Sequence, residues 1–179
     1  MKRIPWIFIA IIIIATSARL RLISILPPLN GSDELKHVIT AKFIAENGLI
    51  TPPETPVYFN DGMSTLIPPH TSYNNVPYAN TVYTKVPVLY HVILSGVFRL
   101  LSTTSMSFMD IARQLRLFQT IIGIIGVTCY YFLSKKVLKN TNDVYLATYI
   151  YATIPLLLLL DATVNWDSAL AAVGTLSAL

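Results

Sequence analysis

Two adjacent carboxylates, a lysine and a histidine stand together in Gly31-Ser32-Asp33-Glu34-Leu35-Lys36-His37, just beyond a hydrophobic stretch that starts near the N-terminus. Ionisable groups are costly to desolvate, so their presence where a chain leaves a membrane points to a site working at the membrane surface. Ser32 is suited to cap a helix, with Asp33 and Glu34 in the first turn, where acids complement the helix dipole. Gly48 is a natural terminator of that helix. Dipole complementation alone would account for both acids. Spacing supplies a second reading, because Asp33, Lys36, His37 and Thr40 recur at i, i+3, i+4 and i+7 and make one polar face. A carboxylate held there could act as general base for an acceptor hydroxyl, its pKa tuned by its neighbours.

The other ionisable candidates each carry two readings. Asp167 follows an apolar run and opens the next one, so it is either a helix cap or part of a site. Asp161 marks the membrane interface. Arg19 would cost roughly 2.5–3.5 kcal/mol at a bilayer centre and much less where its side chain snorkels outward. The alternative to snorkelling is phosphate binding, and Arg116, which opens a later apolar run, faces the same choice. His37, His70 and His91 are too far apart in sequence to form a local metal motif.

The elements that must position these residues are hydrophobic. The chain is 54% hydrophobic and 12% charged, with a mean hydropathy of +0.58. A soluble domain carries about 25% charged residues, so the composition is that of a membrane protein. The net charge of +4 comes from scattered basic residues, with no aromatic-interleaved basic run suited to nucleic acid. Cys129 is the only cysteine, which excludes an internal disulfide and a cysteine-based metal site and leaves a small packing residue. Met1-Lys2-Arg3 followed by an apolar stretch reads as a retained signal anchor rather than a cleaved signal peptide, because no small-residue cleavage site follows.

Ile4–Leu26 supplies the length of a first span, stopped by Pro27-Pro28. Leu117–Ser134 and Val144–Leu160 are further uncharged runs, the latter bracketed by Asp143 and Asp161, and a fourth begins at Ser168 and reaches Leu179 in mid-pattern. In Val86–Ser102, His91, Ser95, Arg99 and Ser102 fall on one helical face, and Leu89, Ile93, Val97 and Leu100 form an apolar stripe elsewhere. That pattern suits a helix lying in the interface. Lys2 and Arg3, like Lys135, Lys136 and Lys139, belong on the cytoplasmic side. Both placements hold only if an even number of spans separates them, so Leu29 to about Gln114 lies outside, with surface helices at Asp33–Asn47 and Val86–Ser102. Asp33, Glu34 and Asp167 then share one face. Thr51–Pro87 reads as an extended loop rich in Pro, Tyr, Asn and Thr, and ordered loops of that length are commonly functional.

At the level of motifs, Ser32-Asp33-Glu34-Leu35-Lys36-His37 through Ala45-Glu46-Asn47-Gly48 resembles the first external loop of GT-C membrane glycosyltransferases, in the branch of protein O-mannosyltransferases and aminoarabinose transferases. Pro87-Val88-Leu89-Tyr90-His91 is similar to the family's second juxtamembrane helix. Arg116-Leu117-Phe118-Gln119-Thr120-Ile121-Ile122-Gly123 is similar to its Arg-Leu span opening, and Val164-Asn165-Trp166-Asp167-Ser168-Ala169-Leu170 to its external Asp-containing turn. The resemblance implies an all-α, multi-pass protein of the cell membrane. It would move a sugar from a polyprenyl-phosphate donor to an acceptor hydroxyl on protein, lipid or glycan at the non-cytoplasmic face. It implies Asp33 as catalytic base and Glu34 as its support, with His37, Arg116, Asp167, Arg19 and His91 toward the substrates and a divalent metal ion as an optional helper. Cationic groups or a metal would stabilise the departing phosphate while the carboxylate activates the nucleophile. Val86-Pro87 replaces the family's Pro-Pro pair, and members carry more spans than four, so the expectation is the N-terminal portion of a longer enzyme. A non-catalytic membrane subunit or scaffold, or an inactive gene fragment, is the alternative, and a transporter fragment ranks last.

Overall fold

The computed structural model describes residues 5–30, 34–48 and 88–179. Asp33, the capping position Ser32, the loop Thr51–Pro87 with His70, and the basic pair Lys2-Arg3 lie outside the described residues. Those described form seven helices and no strand: α1 (Trp6–Ile25), α2 (Glu34–Asn47), α3 (Val88–Ser102), α4 (Phe108–Val137), α5 (Thr141–Thr153), α6 (Pro155–Asp161) and α7 (Trp166–Ser177). They belong to two compact units, Met1–Glu34 with Ser105–Leu179, and Leu35–Thr104.

In the first unit α1 and α4 are long and apolar enough to cross a membrane, and α5 with α6 makes a third crossing if that bent pair counts as one. At 1.5 Å per residue the 20 residues of α1 match a hydrocarbon core of about 30 Å. The 30 residues of α4 exceed it, so this helix extends well beyond the expected run Leu117–Ser134 at both ends. Ser107 caps it by accepting from the Asp110 N–H. Helix α4 is the hub, packing against α7, α5 and α1. Its buried face runs through Leu115, Arg116, Gln119, Thr120, Gly123, Gly126 and Val127 at helical spacing, whereas Leu117, Ile121, Ile125 and Phe132 face outward. In α1 the buried stripe is Phe8, Ile11, Ala15 and Arg19. Ile11 and Ala15 pack with Val127 and Ala152, and Phe8 stacks on Tyr131 with ring centroids 4.1 Å apart. The outward apolar surface is that of a membrane protein.

The expected continuous run Val144–Leu160 is broken. Ile154 is extended (φ −54°, ψ 121°) and Pro155 starts α6, which leaves α5 at 58°. Proline has no N–H to continue the ladder, and its ring disfavours a helical residue before it. Asp161, read from the sequence as an interface marker, ends α6 and is buried within the protein, only 4% exposed.

In the second unit, Gly48 ends α2 as expected, with φ +76° and its N–H on the Ile44 carbonyl. The polar positions of α2 are not a solvated face. His37 and Thr40 are buried along with Leu35, Val38, Ile39, Ala41 and Phe43. Helix α3 buries His91 and Ser95 of its polar face with Tyr90, Leu94 and Phe98, whereas Arg99 and Ser102 of that face are exposed, as are Leu89, Ile93 and Leu100. The apolar stripe expected to meet lipid is thus the outward one.

Candidate functional site

Where α1 ends, Pro27 and Leu29 build a tight turn. The Asn30 N–H donates to the Pro27 carbonyl, and Leu29 takes φ +65°. Pro28 and a positive φ in third place are the signature of a type II turn, which normally takes glycine where Leu29 stands. Beside this turn sits the guanidinium of Arg116, on the third turn of α4 and fully buried. Its Nε donates to Glu34 Oε1 at 2.6 Å and its Nη2 to Glu34 Oε2 at 2.7 Å, a bidentate pair. Its Nη1 also donates to the Leu26 carbonyl and its Nη2 to the Pro27 carbonyl, each at 2.7 Å. Leu26 ends a helix, so its carbonyl needs an outside donor, whereas the Pro27 carbonyl takes Nη2 in addition to the Asn30 N–H. Glu34 Oε1 further accepts from the Val164 N–H at 3.2 Å. One guanidinium thereby grips both ends of the segment 26–34, and the carboxylate it grips is the chain neighbour of Asp33.

A second ion pair lies deeper. Arg19 donates from Nε and Nη2 to Asp161 Oδ2, at 2.8 and 2.5 Å. Its Nη1 donates to the carbonyls of Ala15 and Ala152. The Ala152 carbonyl sits in the last turn of α5, where the break at Pro155 removes its intrahelical donor. Ser168 donates to Asp161 Oδ1, and Thr120 donates to the Asp161 carbonyl at 3.2 Å. A Cβ on Gly123 would overlap the Asp161 carboxylate, so only glycine admits this approach. Arg19 therefore does not snorkel; it is 1% exposed and neutralised in place. Both arginines expected toward a carrier phosphate have their guanidinium groups held by carboxylates and carbonyls.

In the second unit the structure joins two residues that sequence spacing left apart. His37 Nδ1 and His91 Nε2 are 3.0 Å apart. The ring centroids are 5.2 Å apart and the planes differ by 18°, the dimensions of two nearly coplanar rings meeting edge to edge through one N–H···N bond. Tyr90 presents its ring edge-on to both. Burial lowers the His91 pKa to about 4, which keeps its ring neutral at physiological pH. Among the described residues no three His, Cys, Asp or Glu side chains converge as metal ligands would.

No family model, curated protein or solved structure matches this chain. The resemblance to the glycosyltransferases thus rests on the short motifs themselves.

Of the expected site residues, Glu34 and Arg116 meet each other, His37 and His91 meet each other, and Arg19 meets Asp161. Asp167 is exposed, outside both ion pairs. It does not cap α7, since its N–H is bound by the true cap, Asn165. Sequence reading missed Asp161, Thr120, Ser168 and the Val164 N–H. A signal for Asp161 was present: a buried arginine in an apolar span requires an acid nearby, and an acid downstream of Pro155 in a broken run is a natural source.

Proposed function

We propose that this chain is part of a membrane-embedded glycosyltransferase, with Asp33 as general base toward an acceptor hydroxyl and a polyprenyl-phosphate-linked sugar as donor. In this reading α1, α4, the broken pair α5–α6, and α7 are four crossings of a multi-pass protein. Residues 29–114 lie on the non-cytoplasmic side, and α2 and α3 run along the membrane. The observation that carries the proposal is the Arg116 grip on Glu34, Leu26 and Pro27. A carboxylate base is effective when held within hydrogen-bond reach of its proton, and rigid support for the residue beside it supplies that constraint. Glu34 then serves as the anchor of the base rather than as a second proton acceptor, because both of its oxygens are occupied. The departing phosphate requires cations other than Arg19 and Arg116. A divalent metal ion would supply that charge.

The saturation of both arginines favours a second reading, a non-catalytic membrane subunit whose buried ion pairs only hold its helices together. Turnover of a lipid-linked sugar by membranes carrying the whole protein separates the two. The enzyme reading expects turnover that Asp33→Asn abolishes without lowering the amount of folded protein. Wild-type turnover in Asp33→Asn would remove the base assignment, and no turnover by wild type with any lipid-linked sugar would favour the subunit.

A further inference from the structure

The two ion pairs of the first unit are described above as separate features, but one short segment belongs to both. Asp161 ends α6 and is held from every side: its Oδ2 by Arg19, its Oδ1 by Ser168, its backbone carbonyl by Thr120, with Gly123 against the carboxylate. Three residues later the Val164 N–H donates to Glu34 Oε1, the same oxygen that Arg116 Nε grips. Ala162, Thr163, Val164 and Asn165 are all buried, and Asn165 is tied down as the cap of α7. The turn 162–165 is thereby fixed at both ends and carries one outward connection, to Glu34. Arg19 lies seven residues before Leu26 in α1, and Gly123 lies seven residues after Arg116 in α4. At 1.5 Å per residue the two pairs are stacked about 10 Å apart along these helices.

We propose that the Arg19–Asp161 pair sets the position of Glu34, and with it the turn 27–30, through the turn 162–165, making Arg19, Asp161 and Arg116 positioning residues for the Glu34 carboxylate. The link is mechanical. Withdrawing charge from Asp161 releases the end of α6, Val164 drifts from Glu34 Oε1, and the hold that this bond adds to the Arg116 fork is lost. The strained turn at Leu29 is where the slack appears, because a leucine at φ +65° returns to negative φ once its surroundings cease to hold it. The consequence for proton abstraction rests on the transferase reading; the coupling itself does not.

Amide hydrogen exchange on the purified whole protein in detergent tests the coupling. The Asn30 and Val164 amides are both hydrogen-bonded, to the Pro27 carbonyl and to Glu34. Asp161→Asn touches neither Asn30 nor its acceptor, yet it is expected to speed exchange about tenfold or more in peptides covering 26–34 as well as 162–165, with α5 below its break unchanged. Arg116→Lys, which keeps the charge but not the fork, should accelerate the same two peptides. Faster exchange at 162–165 alone would overturn the proposal, and so would a uniform acceleration of all helices, which reports only lost stability. If Asp161→Asn does not fold, Ser168→Ala removes one of the carboxylate's partners and leaves the pair intact; it must give the same pattern in weaker form, and no change at 26–34 refutes the link. Sugar turnover measured on the same variants is a separate arm: coupled exchange without turnover in wild type sinks the transferase reading and leaves this one standing.

Discussion

Replacing Arg116 by alanine should be among the most damaging single changes in the described part of the chain. Three terms add up. Glu34 would be left as a fully buried carboxylate without its guanidinium, and breaking a buried ion pair from one side costs about 3–5 kcal/mol. The Leu26 carbonyl would lose its side-chain donor, at about 1 kcal/mol or more where water cannot replace it, and the Pro27 carbonyl would lose one donor while keeping the Asn30 N–H. The carboxylate relieves part of this by taking up a proton, so about 3–5 kcal/mol is the net expectation. For a protein of this size 1 kcal/mol moves the melting temperature by about 2–4 °C, so thermal unfolding in detergent should fall by about 6–20 °C. The control is the double variant Glu34→Leu with Arg116→Met, which removes both charges and fills the space. Buried pairs replaced whole by apolar groups are commonly neutral, so the double variant should lose about 1–3 kcal/mol, from the Leu26 carbonyl and the Val164 N–H. A double-mutant cycle built on Arg116→Met, Glu34→Leu and the two together then returns a coupling of about 3 kcal/mol or more, since each single change leaves one buried charge unpaired. A shift under about 2 °C for Arg116→Ala, or a double variant as unstable as the two single losses combined, would refute the reasoning that the pair is desolvated and mutually compensating.

Further outcomes follow from the same geometry. Gly123→Ala drives a methyl into the Asp161 carboxylate and should cost about 1–3 kcal/mol in thermal unfolding; a neutral result means that the approach is looser than described. Leu29→Gly should stabilise by about 0.5–1 kcal/mol, since glycine adopts φ > 0 without a Cβ penalty, and a loss of stability would show that the leucine side chain is needed for packing. The His37–His91 bond gives a pH dependence whose sign is fixed by His91. Its folded-state pKa is lowered to about 4 from 6.5, so the folded form binds fewer protons than the unfolded one between those values. Its contribution is complete above about pH 6.5 and is lost as pH falls toward 4. Exchange protection of α2 and α3 should therefore drop between pH 7 and pH 4.5, and His91→Gln should flatten that slope; an unchanged slope in the variant would assign it to other groups.

Much of the architecture could be read from residue order. The apolar runs, the Gly48 terminator and the amphipathic face of residues 89–100 follow from periodicity and from one residue's backbone freedom, which are local properties. What could not be read is which partner each buried charge finds. Arg19 and Asp161 are 142 residues apart, and no spacing rule links them, so each alone looked like a group seeking the interface. The same holds for His37 and His91, 54 residues apart, which are unremarkable until two helices meet. The break at Pro155 sits between: proline foretells it, but the five leucines after it keep the run apolar and uncharged up to Asp161. The amphipathic pattern of α3 was legible, but not that His91 and Ser95 on its polar face would be buried, because that depends on what packs against them.

The separation of Arg19 from Asp161 also has a meaning in time. A ribosome adding about 5–20 residues per second needs roughly 7–30 s to travel from one to the other. Over that interval α1 exists without the acid that neutralises Arg19 in the folded protein. The arrangement of α1 described above is therefore complete only after α6 has been made, which ties the first helix to a late step of synthesis.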